Sequence, residues 1–195
     1  MASNRFRGIS ALLVSAAVFF AFADSAHAQS ANLIQNPGFE SGSGSTPTSW
    51  TKTYWGTPTP TFTYPVAGHG SAKAAQISFG SNSSGDARWA HAPVSVEPNG
   101  TYTFSSWYKS NAATEINVEF TNASGQKSYF FVAALPSSGN VWKQYTANIQ
   151  ASASAQKMLV FHLLDKKGTL VVDDFSLVKS GAPAPAPTPT PTPTP

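Results

Sequence analysis

Between residues 31 and 180, apolar positions fall in short runs that either alternate with polar ones or stay β-branched and aromatic throughout. TFTYPVA, AAQISF, APVSVE, TYTFSSWY, INVEFT, SYFFVAAL, WKQYTANI, MLVFHLL and TLVVDDFSLV are the clearest of them, and this period and composition predict strands. EPNGTY, TNASGQK, PSSGN and DKKGT separate them, supplying residues suited to the positive or fixed φ of turns. No stretch sustains a helical period. ASASAQKML comes nearest, but its Ser-rich alternation runs into a strand, which makes it a loop or a single turn; KTYWGTPTPTF reads as a Thr/Pro/Gly loop. Many short strands at this spacing predict an all-β fold, a two-sheet antiparallel β-sandwich of the jelly-roll kind. EINVEF alternates cleanly enough to assign faces: Ile116, Val118 and Phe120 toward the core, Glu115, Asn117 and Glu119 away from it.

Both ends of the chain depart from this pattern. Residues 1–28 carry Arg5 and Arg7, an apolar run from Ile9 to about Phe22, and AHA before Gln29, the layout of a secretory signal peptide. The run is shorter than the ~20 residues of a spanning helix, so the expectation is cleavage after Ala28 and a secreted, extracellular or periplasmic module over 29–180 with no membrane partner. From Gly181 the chain reads GAPAPAPTPTPTPTP, a Pro/Thr-rich linker that favours extended polyproline II and acts as a semi-rigid spacer. The formal charge of +3 falls to about +2 once residues 1–28, with two arginines and one aspartate, are removed. That balance, with no basic stripe, argues against a nucleic-acid partner. There is no cysteine, so a chain bound for an oxidising compartment has to hold together without disulfides.

NLIQNPGFESG at 32–42, SW at 49–50, HGSAKAAQIS, NGTYTFSSWYKS, VWKQYTANI and the terminal LVVDDFSL together resemble the carbohydrate-binding modules of the family 4/9/16/22 group, galactose-binding-like jelly rolls. The resemblance runs from Asn32 to Val178. It implies a concave face or loop edge that receives a polysaccharide, a structural calcium joining the first and last strands, and a neighbouring glycan-active enzyme domain that the Pro/Thr tail would connect.

Two aspartates interrupt the last strand. A period of two through LVVDDFSL puts Val171, Asp173, Phe175 and Leu177 on one face. A carboxylate in that company is costly unless paired, and the strand holds no Arg or Lys beside it. A hard cation is one partner; backbone amides and water at a strand end are the alternative. Calcium takes six to eight oxygens, and the family resemblance assigns the remaining donors to Glu40 and to carbonyls around Gly38 and Lys73.

A sugar ring presents an apolar face and a rim of hydroxyls, which calls for aromatic platforms flanked by a few directional polar groups. Of the five tryptophans, Trp50 and Trp142 read as core, and Trp55 and Trp89 as the main platforms. Trp107, on a polar strand face, is a candidate cleft wall, with Tyr54 and Tyr129 as secondary platforms. Arg88, Asn117 and Glu119 are candidates for the polar rim, and His162, among apolar neighbours, reads as a buried, satisfied histidine. Catalysis is poorly supported: Glu115 and Glu119 on one strand lie about 13 Å apart, beyond the ~5–9.5 Å that glycoside hydrolysis needs, and no nucleophile or metalloprotease motif is present. The sequence therefore predicts a non-catalytic polysaccharide-binding module. The alternative is a structural or adhesive envelope domain that binds protein or acts as a spacer, favoured if Trp55 and Trp89 are buried rather than exposed along one groove.

Overall fold

A computed structural model describes residues 31–82 and 84–180; the leader and the Pro/Thr tail inferred above lie outside the described residues. In chain order the strands are β1 (Gly42–Ser43), β2 (Thr46–Pro47), β3 (Trp50–Tyr54), β4 (Thr61–Val66), β5 (Ala74–Phe79), β6 (Ala87–His91), β7 (Val94–Ser95), β8 (Thr101–Ser110), β9 (Thr114–Asn122), β10 (Lys127–Leu135), β11 (Lys143–Gln150), β12 (Ala155–Leu164) and β13 (Gly168–Lys179). No helix occurs among the described residues.

Two antiparallel sheets stack as a sandwich. One is six-stranded, in the order β10-β9-β12-β6-β3 with β7 on β12; the other is five-stranded, β11-β8-β13-β5-β4. Their inner faces share one core, in which Ile116, Val118 and Phe120 of β9 and Met158, Val160 and Leu164 of β12 meet Tyr102, Phe104 and Tyr108 of β8 and Leu170, Val172 and Leu177 of β13. The alternation read from EINVEF is realised here, and each such side chain buried completely contributes roughly 1.5–3 kcal/mol. Trp50 is also core, its ring 5.0 Å from Phe175 and its Nε1 donating to the Asn36 carbonyl. His162 is buried with its Nε2 2.7 Å from Thr114 Oγ1, and desolvation pushes its pKa down to about 3, so it is neutral.

Three sequence expectations need correction. Part of the segment read as a Thr/Pro/Gly loop is β3, whose Lys52 and Thr53 pair with Trp89 and Arg88 of β6. Trp142 is only half-buried and packs outside the core. The third correction concerns the aspartates: Asp173 does not share a face with Phe175. The pairing of β13 with β8 shifts register between Asp173 and Ser176, and Asp174 sits at φ 47°. That extra residue is a β-bulge. Upstream of it Asp173 points outward with Val171; downstream, Phe175 and Leu177 point into the core. The N-terminal segment secures the bulge, because Asn32 Nδ2 donates to the Phe175 carbonyl, Leu177 N–H donates to Asn32 Oδ1, and Phe175 N–H donates to the Pro37 carbonyl.

Candidate functional site

The outer face of the six-stranded sheet has an apolar floor. Ala90, Leu159, Phe161 and Leu163 are all buried and form a cluster separate from the main core. β12 is thus apolar on both faces, unusual for an antiparallel strand with one face toward solvent. Arg88 lies over this floor with its Cζ 4.1 Å from the centre of the Phe161 ring, a cation–π contact. Its Nη1 is 3.0 Å from Asp86 Oδ1, and the other oxygen of Asp86 accepts from Trp55 Nε1 at 2.5 Å. One carboxylate therefore orients both a cation and an indole. Trp55 remains 61% exposed. Glu115 and Asn117 of β9 and Tyr129 of β10 complete a cleft of about 440 Å³ floored by Phe161 and Leu163. A continuation of about 320 Å³ passes Trp55 toward Ser84 and Asp165.

Most charges in the cleft are held by neighbours. Glu119 is buried, and Lys127 Nζ lies 2.9 Å from its Oε1; that hydrogen bond raises the Lys127 pKa. Desolvation, then the hydrogen bond to Glu119, pushes the Tyr129 phenol up, so it stays protonated near neutrality. Asp165 pairs with Lys166 at 3.0 Å, and Asn117 Nδ2 is 3.4 Å from Glu115 Oε2. Arg88 Nε is buried without a partner, an unusual state for a polar group. It is a buried donor beneath the cleft surface.

A second constellation lies at the β13 bulge. Asp173 is fully buried, and its Oδ2 accepts from His69 N–H at 2.8 Å and from Ser71 Oγ at 3.0 Å. Burial raises its pKa against those hydrogen bonds, and the adjacent Asp174 charge raises it further. Glu40 Oε1 accepts from Lys73 N–H at 2.9 Å, and the Glu40 carbonyl accepts from Lys73 Nζ at 2.8 Å. A Cβ at Gly38 would stand 3.2 Å from Asp174 Oδ1 and 3.8 Å from Asp173 Oδ1; one at Gly68 would stand 2.7 Å from the Lys73 carbonyl and 2.8 Å from Asp173 Oδ2. Gly38, Glu40, Lys73 and Asp173, far apart in sequence, thus converge on one oxygen-rich cradle that leaves no room for a side chain at Gly68 and little at Gly38. Among the described residues no three His, Cys, Asp or Glu side chains are grouped to hold a metal, so a cation here would draw on backbone carbonyls as well, as calcium does.

A family model described as "Carbohydrate binding domain" (CBM_4_9) matches residues 31–167. The chain belongs to this family. No curated protein matches it. Among solved structures, this carbohydrate-binding domain is similar to the enzymatically active domain of tailspike protein 4 from bacteriophage CBA120, with TM-score 0.60 and 17% identity over 76% of this chain and 21% of that one. It is also similar to the CBM22-1–GH10 modules of Clostridium thermocellum xylanase 10B, complexed with xylohexaose, with TM-score 0.55 and 14% identity over 82% and 30%. The CBM22-1 xylan-binding domain of Paenibacillus barcinonensis Xyn10C gives TM-score 0.55 and 18% identity over 78% and 98%. The match spans between a fifth and a third of the first two chains and nearly all of the third. At these identities the likeness establishes the fold, a carbohydrate-binding-module jelly roll.

In this carbohydrate-binding domain Trp55, Arg88, Asn117 and Tyr129 line one cleft, with Glu119 buried beside Tyr129. Trp89 is not a platform. It is 1% exposed, because the register of β6 turns it inward, where its Nε1 donates to the Gln76 carbonyl and its ring meets Phe62 edge-on. Trp107 is not a wall of this cleft either: it stands on β8 of the opposite sheet, stacked on His69 with ring centres 3.7 Å apart. Tyr54 is exposed but shares a face with the core-directed Ala87 and tilts toward Phe62, so it too lies off the cleft. Sequence reasoning missed Asp86, Phe161 and Leu163. The signal for the last two was available in MLVFHLL, a run with no polar face.

Proposed function

We propose that the chain is a secreted, non-catalytic module that binds a neutral polysaccharide along the outer face of the six-stranded sheet, holding whatever it is joined to against that glycan. The observation that carries this reading is the Trp55–Asp86–Arg88 unit beside the Phe161 floor. An exposed indole held by a carboxylate offers a stacking surface, the Arg88 guanidinium and Asn117 offer polar edges for hydroxyls, and Tyr129 lines the same cleft. The carboxylates of the cleft have cationic or amide partners, which supports recognition rather than acid–base chemistry. Xylan is the first ligand to try, because two of the structural neighbours are described as xylan-binding or as complexed with xylohexaose. The Pro/Thr tail supports a tethered partner such as a glycan-active enzyme domain.

Affinity electrophoresis on xylan, β-glucan and mannan tests this. Retardation by one polymer is expected, weakened roughly fivefold or more by Trp55→Ala with melting temperature unchanged, taking the about 1–3 kcal/mol lost when an aromatic under a stacked nucleobase is removed as the guide. Unretarded migration through every polymer would move the reading to the structural or adhesive domain.

We also propose a structural calcium at the bulge. Glu40 and Asp173 would supply carboxylate oxygens, with carbonyls near Gly38 and Lys73, and the ion would tie the N-terminal segment to β13. A ligand at a hundred times its Kd adds about 2.7 kcal/mol, so calcium should raise the melting temperature by several degrees over a chelated sample, and Asp173→Asn should abolish that difference. An equal melting temperature with and without chelator would leave the cradle as hydrogen-bonded protein alone.

A further inference from the structure

The outer face of the five-stranded sheet carries a second groove, and its chemistry is opposite to that of the cleft. Gln76 on β5, Val171 on β13 and Lys109 on β8 stand in a row, since Val171 pairs with both of the others. Thr169 follows Val171 on the same face, and Asn111 and Asn140 close one end, giving a cavity of about 400 Å³. Val171 is 5% exposed and forms an apolar floor. Asn111 is oriented because its Oδ1 accepts from Thr169 N–H at 2.7 Å. The Gln76 and Asn140 amides, the Thr169 hydroxyl, the Asn111 Nδ2 and the Lys109 ammonium have no hydrogen-bond or ion-pair partner among the described residues. Lys109 Nζ lies 5.1 Å from the centre of the Trp142 ring, and Trp142 meets His69 edge-on at 5.6 Å, so an aromatic wall stands beside the ammonium.

No carboxylate lines this groove. The front cleft is lined by Asp86 and Glu115 and extends to Asp165, and its one lining cation, Arg88, is already spent on Asp86. Asp173 and Asp174 lie further along the same face, where Asp173 accepts from His69 N–H and Ser71 Oγ and Asp174 Oδ2 is 3.1 Å from His69 Nδ1. The charge that faces a ligand within the groove is thus the Lys109 ammonium, whereas in front it is that of Asp86 and Glu115. Amides that donate and accept, a hydroxyl, an apolar floor and one free ammonium match a sugar ring bearing a single carboxylate. We infer that the outer face of the five-stranded sheet is a second saccharide site, selective for uronic acid residues, with Lys109 binding the sugar carboxylate. This rests on the reading above only in taking saccharide as the ligand class.

The test is titration of the whole chain with trigalacturonate, followed by NMR or calorimetry, beside xylohexaose as the neutral probe. Saturable trigalacturonate binding is expected. It should weaken at least fivefold in Lys109→Gln, be largely retained in Lys109→Arg, and be unchanged in Trp55→Ala. Gln76→Ala should also weaken it, with all four variants melting as the parent does. Loss of trigalacturonate binding in Lys157→Gln, an exposed position on β12 of the other sheet, as large as in Lys109→Gln would mean general attraction to a cationic surface and overturn the proposal. So would loss in Trp55→Ala, or no binding by the parent chain. Failure of xylohexaose to bind while trigalacturonate does would sink the xylan reading of the front cleft and leave this one standing.

Discussion

The two outer faces of the sandwich are built by the same alternation yet end up chemically different. The six-stranded sheet turns Leu159, Phe161 and Leu163 outward and covers them with Arg88 and neighbouring polar side chains. The five-stranded sheet turns outward Lys109, Gln76 and Thr169 around the apolar Val171, with Trp107 and the hydrogen-bonded Asp173 further along the same face. An apolar floor under directional polar groups suits a ring with two uncharged faces; a polar row with an unpaired ammonium suits a charged one. The outer faces therefore separate functions, while the shared inner faces hold the fold.

The largest effect should come from exchanging the roles of two tryptophans. Trp89→Ala removes an indole that is 1% exposed and loses its bond to the Gln76 carbonyl; truncations of this kind cost about 3–5 kcal/mol. Trp55→Ala, at 61% exposure, should change stability by less than about 0.5 kcal/mol and act on glycan retention instead. Chemical denaturation and affinity electrophoresis on the same two proteins check this. Equal destabilisation by both would contradict the assignment of one to the core and the other to the cleft.

That pair also shows what the sequence conveyed and what it withheld. The alternation in EINVEF was legible because nothing interrupts its period, and Asn117 and Glu119 fell on the predicted side. Trp55 and Trp89 looked alike because one reads as part of a loop and the other as the entry to a strand, settings that both suit an exposed aromatic, and only the pairing of β6 between β12 and β3 decides which way Trp89 turns. The face of Asp173 was misread for a related reason: a bulge adds one residue, and parity beyond it inverts. Gly38, Glu40, Lys73 and Asp173 stand close together at the bulge, although no local pattern announces it; the calcium assigned to them is a proposal. The rear groove draws on β5, β8, β13 and two loops, and no single stretch announces it.

A second effect separates the two faces of β12 itself. His162 points inward between the outward Phe161 and Leu163, and its pKa in the folded chain is about 3 against an ordinary 6.5. Between those values the unfolded chain binds a proton that the folded chain does not, so stability should fall as pH drops from about 6.5 toward 3. The loss approaches about 5 kcal/mol, on the order of 1.4 per pH unit over about 3.5 units. His162→Gln should flatten that limb in urea denaturation followed against pH. Part of the slope should persist, because burial also depresses the pKa of His91. An unchanged acid limb in the variant would show that the proton is taken up elsewhere.

Asp86 should matter less to the fold and more to the cleft. Asp86→Ala removes the acceptor of Trp55 Nε1 and the partner of Arg88 together, and hydrogen bonds to charged groups contribute about 1.5–3 kcal/mol. Retention on the cognate glycan should fall roughly tenfold or more. In a double-mutant cycle with Trp55→Ala the losses should be less than additive, since both act on the same indole. Full additivity would mean that Asp86 does not position the ring.

The smallest contrast is between two lysines on opposite faces. Lys127 is half exposed, but its partner Glu119 is 2% exposed, with the ammonium 2.9 Å from the carboxylate. Lys127→Gln leaves a buried carboxylate with a weaker neutral partner. Breaking a fully buried pair costs about 3–5 kcal/mol, and an exposed pair contributes about 0.2–1; this mixed pair should fall near 1 kcal/mol. Lys109 has no carboxylate partner to abandon, so Lys109→Gln should leave the melting temperature within about 1 °C of the parent, as surface substitutions away from such features do. Thermal melts of the two variants at low salt and at ~1 M salt read the difference directly, because screening reaches only charges that solvent can reach. The Lys127 deficit should persist at high salt, and the Lys109 variant should match the parent in both.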